Sequence, residues 1–238
     1  MSVSVSEMFL SVQGEGRFLG WPMTFVRLSH CNIECAWCDT PQRYRGAVMT
    51  EQAVADAVEE FDQEHVCLTG GEPMLQLRRM AELVSSSKWK WHLETNGTLA
   101  PAGDIDLLEK FECITVSPKL SSAQHSRPVT ALAKKSVFVR DAFEAWVEYA
   151  RTTPSVYFKF VVGSKDWCEF ERLVESIPNG KAVVEIQVQP QTYEFDCYGE
   201  FARQLLVRVA KGWPMRPDVR LRYMPRLQDL LWGDAPGR

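Results

Sequence analysis

Short, nearly continuous apolar runs alternate with amphipathic segments along most of this chain. The runs are rich in β-branched and aromatic residues, and we expect strands over residues 23–28, 66–69, 89–94, 113–117, 156–162, 183–189 and 219–223. Strands that are apolar on both faces and separated by helices are typical of right-handed βαβ units. The pattern therefore predicts an α/β fold with a mostly parallel sheet, either open or curled into a partial barrel.

The amphipathic segments predict the helices between these strands. The clearest begins after Thr50, a favourable N-cap residue, and its apolar positions share one helical face: Ala53, Val54, Ala57, Val58 and Phe61. Further helices are predicted over residues 75–86, 104–111, 141–150, 166–176 and 200–210. The stretch 120–135 is predicted to be a mobile loop. We expect one domain over residues 1–238, because the sequence shows no repeat and no linker.

Composition and charge narrow the class of protein. Hydrophobic residues make up 45% of the chain and charged residues 24%, which is typical of a globular protein. A net charge of −4 gives no general attraction to nucleic acid or to an anionic membrane, so neither is an expected partner. The first residues lack the pattern of a signal peptide, and no stretch reaches the roughly 18 apolar residues of a membrane helix. We therefore expect a cytoplasmic protein.

Three of the seven cysteines lie within eight residues, directly after the first predicted strand. Such close spacing of Cys31, Cys35 and Cys38 indicates a metal centre rather than disulfides in a reducing compartment. A structural zinc site needs a fourth ligand, whereas three thiolates can hold a [4Fe-4S] cluster and leave one iron open to a cofactor. The spacing alone leaves both readings open. The remaining cysteines are predicted to be small buried hydrophobic residues: Cys67, Cys113, Cys168 and Cys197.

Polar loops follow several predicted strands, at residues 69–72, 94–97, 117–119 and 189–191. Because the C-terminal ends of parallel strands meet at one rim, we expect these loops to form one site. The pair Gly70 and Gly71 exposes backbone groups that an ammonium group can reach, and Trp37 can shield a cluster or face an adenine. These neighbours favour an iron–sulfur centre over zinc.

The motifs resemble a known superfamily and one family within it. The spacing Cys-x3-Cys-x2-Cys with Trp37, and Gly-Gly-Glu-Pro at 70–73, resemble the radical S-adenosylmethionine superfamily. Segments 7–16, 25–27, 37–40, 69–73, 94–97 and 116–119 resemble the 7-carboxy-7-deazaguanine synthase family, in that family's order. The resemblance is thinner at Lys159 and 189–191, and weak at 230–233.

The resemblance implies a shortened (βα)6 partial barrel that holds a [4Fe-4S] cluster, S-adenosylmethionine and Mg2+. In such enzymes the cluster splits S-adenosylmethionine to give a 5′-deoxyadenosyl radical. The implied reaction converts 6-carboxy-5,6,7,8-tetrahydropterin to 7-carboxy-7-deazaguanine and releases ammonia, a step toward queuosine and related 7-deazapurines. The implied partners are this pterin substrate, a flavodoxin-type reductant and a second copy of the chain in a homodimer.

The resemblance also implies a role for each matched residue. Cys31, Cys35 and Cys38 would hold the cluster, and Thr40 would bind Mg2+. The implied contacts to S-adenosylmethionine are Trp37, Cys38, Asp39, Gly71, Glu72, Asn96, Ser117, Pro118, Lys119 and Gln189. The implied substrate contacts are Val12, Gln13, Gly14, Glu15, Arg27 and Thr69. Lys159 lies in an apolar strand and is either a site residue or an outward-facing edge residue.

The chain departs from the family pattern at two places. Pro225-Arg-Leu-Gln228 has Gln where the family often has His, so the resemblance supplies no substrate contact at that position. Ser29-His30 stands where Gly is common before the first cysteine. Two alternatives stay open: a radical S-adenosylmethionine activase that makes a glycyl radical on a partner protein, and a non-catalytic zinc-binding module. The Gln-Gly-Glu-Gly segment at 13–16 argues against the activase.

Overall fold

A computed structural model describes residues 1–40, 44–127, 130–191, 198–212 and 216–227. Within these ranges the strands are β1 (Ser2–Val12), β2 (Pro22–Leu28), β3 (Ala47–Thr50), β4 (His65–Gly70), β5 (Lys90–Thr95), β6 (Cys113–Val116), β7 (Val156–Val162), β8 (Val184–Pro190) and β9 (Val219–Tyr223). The α-helices are α1 (Glu51–Glu60), α2 (Ala81–Ser86), α3 (Ile105–Leu108), α4 (Arg140–Thr152), α5 (Trp167–Glu175) and α6 (Tyr198–Ala210).

These strands form one sheet in the order β3-β1-β2-β4-β5-β6-β7-β8-β9. Every neighbouring pair from β2 to β9 is parallel, whereas β1 is antiparallel to both β2 and β3. The sheet does not close, because β3 and β9 are its two edges. The predicted α/β class with a mostly parallel sheet is confirmed.

The helices between the parallel strands bury the apolar faces that their sequences predict. The Thr50 hydroxyl accepts a hydrogen bond of 3.1 Å from the backbone N–H of Ala53, which confirms the predicted N-cap of α1. Trp146 of α4 and Phe170 of α5 are completely buried. Burial of such side chains contributes about 1.5–3 kcal/mol each to folding. No helix in the described ranges has both the length and the apolar character needed to cross a bilayer.

Three sequence predictions differ from the structure. Strands β1 and β3 were not predicted, since Ser alternates with Val at the start of β1 and lowers its apolar signal. The predicted helix over 75–86 is broken into two 3-10 turns, Pro73–Leu75 and Leu77–Met80, followed by α2. At this break the Gln76 backbone is not helical, and its side-chain amide accepts from the Ser4 backbone N–H at 2.8 Å and donates to the Ser29 carbonyl at 2.8 Å. The segment 104–111 forms only the short helix α3.

The isolated cysteines are only partly as predicted. Cys67 and Cys113 are buried in the sheet, and burial raises the pKa of each thiol, for Cys113 to about 12. Cys168 is exposed, so its predicted burial is wrong. It follows Trp167 at the start of an amphipathic helix, where Trp167 and Phe170 take the buried positions. Cys197 lies outside the described residues.

Two histidines form a buried pair on the face of the sheet that also carries Thr69. His65 and His92 are joined by a ring nitrogen contact of 2.8 Å between Nδ1 and Nε2. The rings of Phe18 and Trp21 pack edge-on against them, with centroid distances of 4.5 Å to His92 and 4.9 Å to His65. Burial, assisted by the neighbouring charges of His65 and Lys90, lowers the pKa of His92 to about 3.

This histidine pair is expected to make the protein acid-sensitive. In the unfolded chain His92 takes up a proton below about pH 6.5, whereas in the fold it stays neutral down to about pH 3. Its contribution to the free energy of unfolding is therefore present above pH 6.5 and falls as pH drops through that window, by about 2 kcal/mol between pH 7 and 5. Urea unfolding at the two pH values measures this slope. His92→Gln should flatten it, and the partly exposed His125→Gln should not; equal slopes in both variants would contradict the assignment.

Candidate active site

A single cavity at the C-terminal ends of the parallel strands brings together nearly all of the predicted site residues. The three clustered cysteines line it. So do the following predicted contacts: Val12, Gln13, Gly14, Glu15, Arg27, Trp37, Asp39, Thr40, Thr69, Gly71, Asn96, Ser117, Lys119 and Gln189. The polar loops after the parallel strands therefore meet at one rim of the sheet, as predicted.

Two predicted contacts do not reach the cavity wall, Glu72 and Pro118. Glu72 is completely buried and accepts hydrogen bonds from the backbone N–H of Met74 (3.0 Å), the hydroxyl of Thr95 (2.7 Å) and the backbone N–H of Asn96 (2.7 Å). Burial raises the pKa of Glu72 in spite of these bonds. The Glu72 side chain thus orients the polar loop after β5 rather than lining the cavity.

The clustered cysteines lie on a loop, residues 29–40, which we call the cysteine loop. Its apolar side, at Ile33, is buried against Ala123 and Val137. The backbone N–H of Ala36 donates to the carbonyl of Ala123 at 2.8 Å, and the N–H of Cys38 donates to the carbonyl of Cys35 at 3.3 Å. These contacts hold the loop against the segment after β6 and leave all three thiols partly exposed.

The glycine pair after β4 lets a second loop approach the cysteine loop closely. The N–H of Gly71 donates to the Leu28 carbonyl at 2.9 Å, and the N–H of Glu72 donates to the His30 carbonyl at 2.8 Å. Gly70 has a φ of 133°, and a Cβ at Gly71 would lie only 1.9 Å from the His30 carbonyl oxygen. His30 itself has a φ of 71°, where the family pattern commonly has glycine.

Asn96 adds a polar contact beside the first cysteine. Its Nδ2 lies 3.7 Å from Cys31 Sγ and donates to Asn32 Oδ1 at 3.0 Å. Its Oδ1 accepts from both the backbone N–H (2.9 Å) and the hydroxyl (2.6 Å) of Thr98. Because its oxygen is held on one side, the Asn96 amide presents its N–H groups to the thiol.

A cluster of charged side chains around Glu15 also lines the cavity. Glu15 contacts the ammonium of Lys159 and accepts hydrogen bonds from Gln189 Nε2 and Arg226 Nε, each at 3.0 Å. Burial alone would raise the pKa of Glu15, but the charges of Lys159 and Arg226 outweigh it and hold that pKa well below its usual range. Burial would likewise lower the pKa of Lys159, which Glu15 and Glu94 raise instead. Of the two interpretations of Lys159, the inward one is correct.

A second polar chain links Arg27 on β2 to the end of the cysteine loop. Arg27 donates to Glu7 Oε1 at 2.6 Å and to Thr40 Oγ1 at 3.3 Å. The Thr40 hydroxyl donates to Asp39 Oδ1 at 3.2 Å, and Asp39 Oδ2 accepts from Arg226 at 2.8 Å. More than half of the Asp39 side chain is exposed, and the neighbouring charge of Arg226 lowers the pKa of Asp39. Asp39 and Thr40 therefore place hard oxygen donors side by side.

Comparison with known proteins identifies the family. The Radical SAM superfamily profile matches residues 26–177. A 7-carboxy-7-deazaguanine synthase from Pyrobaculum aerophilum is 33% identical, over 99% of this chain and 97% of the relative. This chain belongs to the 7-carboxy-7-deazaguanine synthase family. A protein of the same name from Halobacterium salinarum is 30% identical, over 99% of this chain and 92% of the relative.

One solved structure supports the fold of this family member. The crystal structure of QueE from Escherichia coli matches it with a TM-score of 0.62 over 94% of each chain, at 23% identity. The likeness confirms the predicted radical SAM partial barrel. At this level of identity it shows the fold alone.

The cysteine loop fits the cluster that radical SAM enzymes use with S-adenosylmethionine. Its three thiols form no disulfide and share one cavity, and no other cysteine in the described ranges lines that cavity. In the same ranges, no three His, Cys, Asp or Glu side chains are arranged around a single metal ion. The ligands of a cubane cluster are spaced more widely than those of a single ion, because each thiolate binds a different iron.

Several residues that line the cavity of this family member were not predicted as contacts: Phe9, Phe25, Ile33, Glu94, Thr95, Val161, Gln191 and Arg226. Glu94 ends a predicted strand and carries a visible signal, since it lies in a polar loop motif. In the structure it accepts from Gln13 at 3.2 Å and Thr69 at 2.8 Å. Arg226 carries no local signal, because its partners lie 187 and 211 residues away in the chain. Gln228 and residues 230–233 lie outside the described residues.

Proposed function

We propose that this enzyme converts 6-carboxy-5,6,7,8-tetrahydropterin to 7-carboxy-7-deazaguanine with release of ammonia. The observation that carries the proposal is that the three thiol-bearing residues and the charged cluster line one cavity. The cysteines suit an iron–sulfur cluster with its cofactor, and the charged cluster suits a polar heterocycle with a carboxylate. The name of the relatives supports the same reaction.

The residues near the cysteine loop would have two tasks, which are to hold the iron–sulfur cluster and to bind its cofactor. Cys31, Cys35 and Cys38 would hold the cluster, and the backbone at Gly71 together with Asn96 would face the cofactor. When bound, the cluster and S-adenosylmethionine supply a radical that removes a hydrogen atom from the substrate. Because the cysteines and the charged cluster line the same cavity, a substrate bound to the charged cluster would lie within that cavity with the cofactor.

The charged cluster supports recognition of an aminopyrimidinone ring. Glu15 is ionised in this cluster and acts only as an acceptor, which suits the N–H edge of such a ring. Gln189 is completely buried, and its Oε1 has no hydrogen-bond partner among the described residues. A buried acceptor without a partner is costly, so a donor from a bound ring would satisfy it.

The carboxylate of the substrate would meet the positive side of the cavity. Arg27 and Lys159 line it, and Thr40 and Asp39 offer oxygen ligands for a Mg2+ ion between protein and substrate. An ion with hard oxygen ligands would neutralise the substrate carboxylate and fix its orientation. These contacts make substrate binding dependent on both the protein's cations and Mg2+.

Three further expectations belong to this proposal and rest on the family resemblance. We propose a flavodoxin-type protein as electron donor, a homodimer as the working assembly, and the cytoplasm as its location. Membership of this family argues against the two alternatives raised by the sequence, the glycyl-radical activase and the zinc-binding module.

The proposed reaction is tested by an anaerobic assay of reconstituted, reduced protein. With S-adenosylmethionine, Mg2+ and the pterin substrate, we expect 7-carboxy-7-deazaguanine by mass spectrometry and an equal amount of ammonia. Cleavage of S-adenosylmethionine is measured in the same samples as 5′-deoxyadenosine and methionine. Cofactor cleavage without 7-carboxy-7-deazaguanine would show that the radical forms but would contradict the proposed reaction.

Thr40→Ala is expected to weaken the dependence on Mg2+. The variant loses one oxygen donor, so the Mg2+ concentration for half-maximal activity should rise by roughly tenfold or more, with lower turnover. Iron content should stay at the wild-type value because Thr40 is not a cluster ligand. Thr152→Ala, an exposed position at the end of α4, is the matched control. An unchanged Mg2+ profile in Thr40→Ala would remove Thr40 from the metal site.

A further inference from the structure

The chain segment after β9 lies beside the cavity and contacts a loop near the N-terminus of the chain. We call residues 224–227 the C-terminal strap and residues 12–16 the substrate loop. The backbone N–H of Met224 donates to the Val188 carbonyl at 2.9 Å, and that of Leu227 donates to the Gly14 carbonyl at 3.0 Å. The strap therefore lies between β8 and the substrate loop.

One side chain of this strap reaches two further parts of the site. Arg226 donates from Nε to Glu15 on the substrate loop at 3.0 Å and from Nη2 to Asp39 on the cysteine loop at 2.8 Å. The Arg226 side chain is only 13% exposed and lines the cavity. A planar guanidinium with several fixed donors can hold two carboxylates at once, which a lysine ammonium does less well.

The electrostatics of the cavity depend on this guanidinium. Arg226 lies between the carboxylates of Glu15 and Asp39 and places one positive charge against both. Removal of Arg226 would leave the buried carboxylate of Glu15 and the half-exposed carboxylate of Asp39 without this shared partner, with Lys159 still in contact with Glu15. Such a cavity repels an anionic substrate, and its carboxylates can turn away from their present positions.

We propose that Arg226 is a positioning residue that fastens the C-terminal strap to the substrate loop and the cysteine loop. It thereby sets the affinity for a carboxylate-bearing substrate. The inference rests on the proposed function. Within the described residues, it gives the C-terminal segment a contact to this site at Arg226, two residues before Gln228 in the sequence.

This role predicts a specific split between kinetic constants. Arg226 is bonded to Glu15 and Asp39 rather than to a cysteine, so its loss should change substrate binding and leave radical generation intact. In Arg226→Met we expect KM for the pterin to rise at least about tenfold, which corresponds to about 1.4 kcal/mol, with kcat within about threefold of wild type. Arg226→Lys keeps the charge and should recover part of the affinity.

The same variants test the strap without any substrate. In reconstituted protein, Arg226→Met should speed hydrogen exchange at the Leu227 amide, whose bond to Gly14 the guanidinium supports. The matched control is Arg222→Met on β9, where Arg222 is 56% exposed and pairs with Glu185 at 3.3 Å. Arg222→Met should leave KM, kcat and exchange at Leu227 unchanged.

The outcomes separate this inference from the proposed function. Faster exchange at Leu227 with a raised KM, partly restored in Arg226→Lys, supports the inference. Wild-type exchange at Leu227, or a fall in kcat with KM unchanged, overturns it. If wild-type protein makes no 7-carboxy-7-deazaguanine, the proposed function fails on its own, and the exchange experiment still decides whether Arg226 fastens the strap.

Discussion

Cys35→Ala is expected to abolish both cofactor cleavage and product formation. Cys35 is the middle one of the three clustered cysteines in the sequence, and it lines the cavity. Loss of one thiolate leaves two ligands for a cluster that needs three from the protein, so no cluster can be held with an iron open to S-adenosylmethionine. Iron analysis and the assay for 5′-deoxyadenosine under anaerobic conditions measure the effect.

Cys168→Ala is the matched control for this experiment. Cys168 is exposed on α5 and does not line the cavity, so iron content and activity should equal those of wild type. Circular dichroism of both variants checks that the sheet has formed. Wild-type activity in Cys35→Ala would refute the ligand assignment, and so would an equal loss in Cys168→Ala.

Gly71→Ala is expected to displace the cysteine loop and to reduce cluster content at least about tenfold. An alanine Cβ would lie 1.9 Å from the carbonyl oxygen of His30 and 2.4 Å from its carbonyl carbon, and backbone atoms cannot turn aside as a flexible side chain does. His30 directly precedes Cys31, so the clash moves the first thiol. The measurement is iron and sulfide content after reconstitution.

Gly103→Ala controls for a general effect of glycine replacement. A Cβ at Gly103 meets no atom within 4 Å, and Gly103 has no positive φ, so this variant should load its cluster like wild type. The thermal midpoint of apoprotein shows whether Gly71→Ala still folds. Full cluster content in Gly71→Ala would contradict the close packing of the two loops.

The parallel part of the fold could be predicted from sequence because its signals are local. Apolar runs indicate the buried strands. Thr50 indicates the start of α1, because its capping hydrogen bond is with Ala53, only three residues away. The antiparallel edge could not be predicted from the sequence. Strand β1 mixes Ser with Val, so its apolar pattern is weak, and its pairing with β2 and β3 arises only when the chain folds. The broken helix at Gln76 also depends on distant partners, the backbones of Ser4 and Ser29.

The residues of the site likewise include some that could be predicted from the sequence and some that could not. Residues in loops after the strands could be predicted, since parallel strands bring their C-terminal ends together whatever their order in the chain. The roles of Glu72 and Arg226 could not, because each depends on which side chains it meets across the fold. For Lys159 the sequence left two orientations open, and only the position of Glu15 decides between them.

We expect Cys31, Cys35 and Cys38 to hold a [4Fe-4S] cluster with one iron open to S-adenosylmethionine. Electron paramagnetic resonance of the reduced protein, with and without S-adenosylmethionine, tests it most directly. We predict about four irons per chain and a cluster signal whose g-values shift when the cofactor is added. A signal that the cofactor leaves unchanged, with a fourth protein ligand on the remaining iron, would contradict the account.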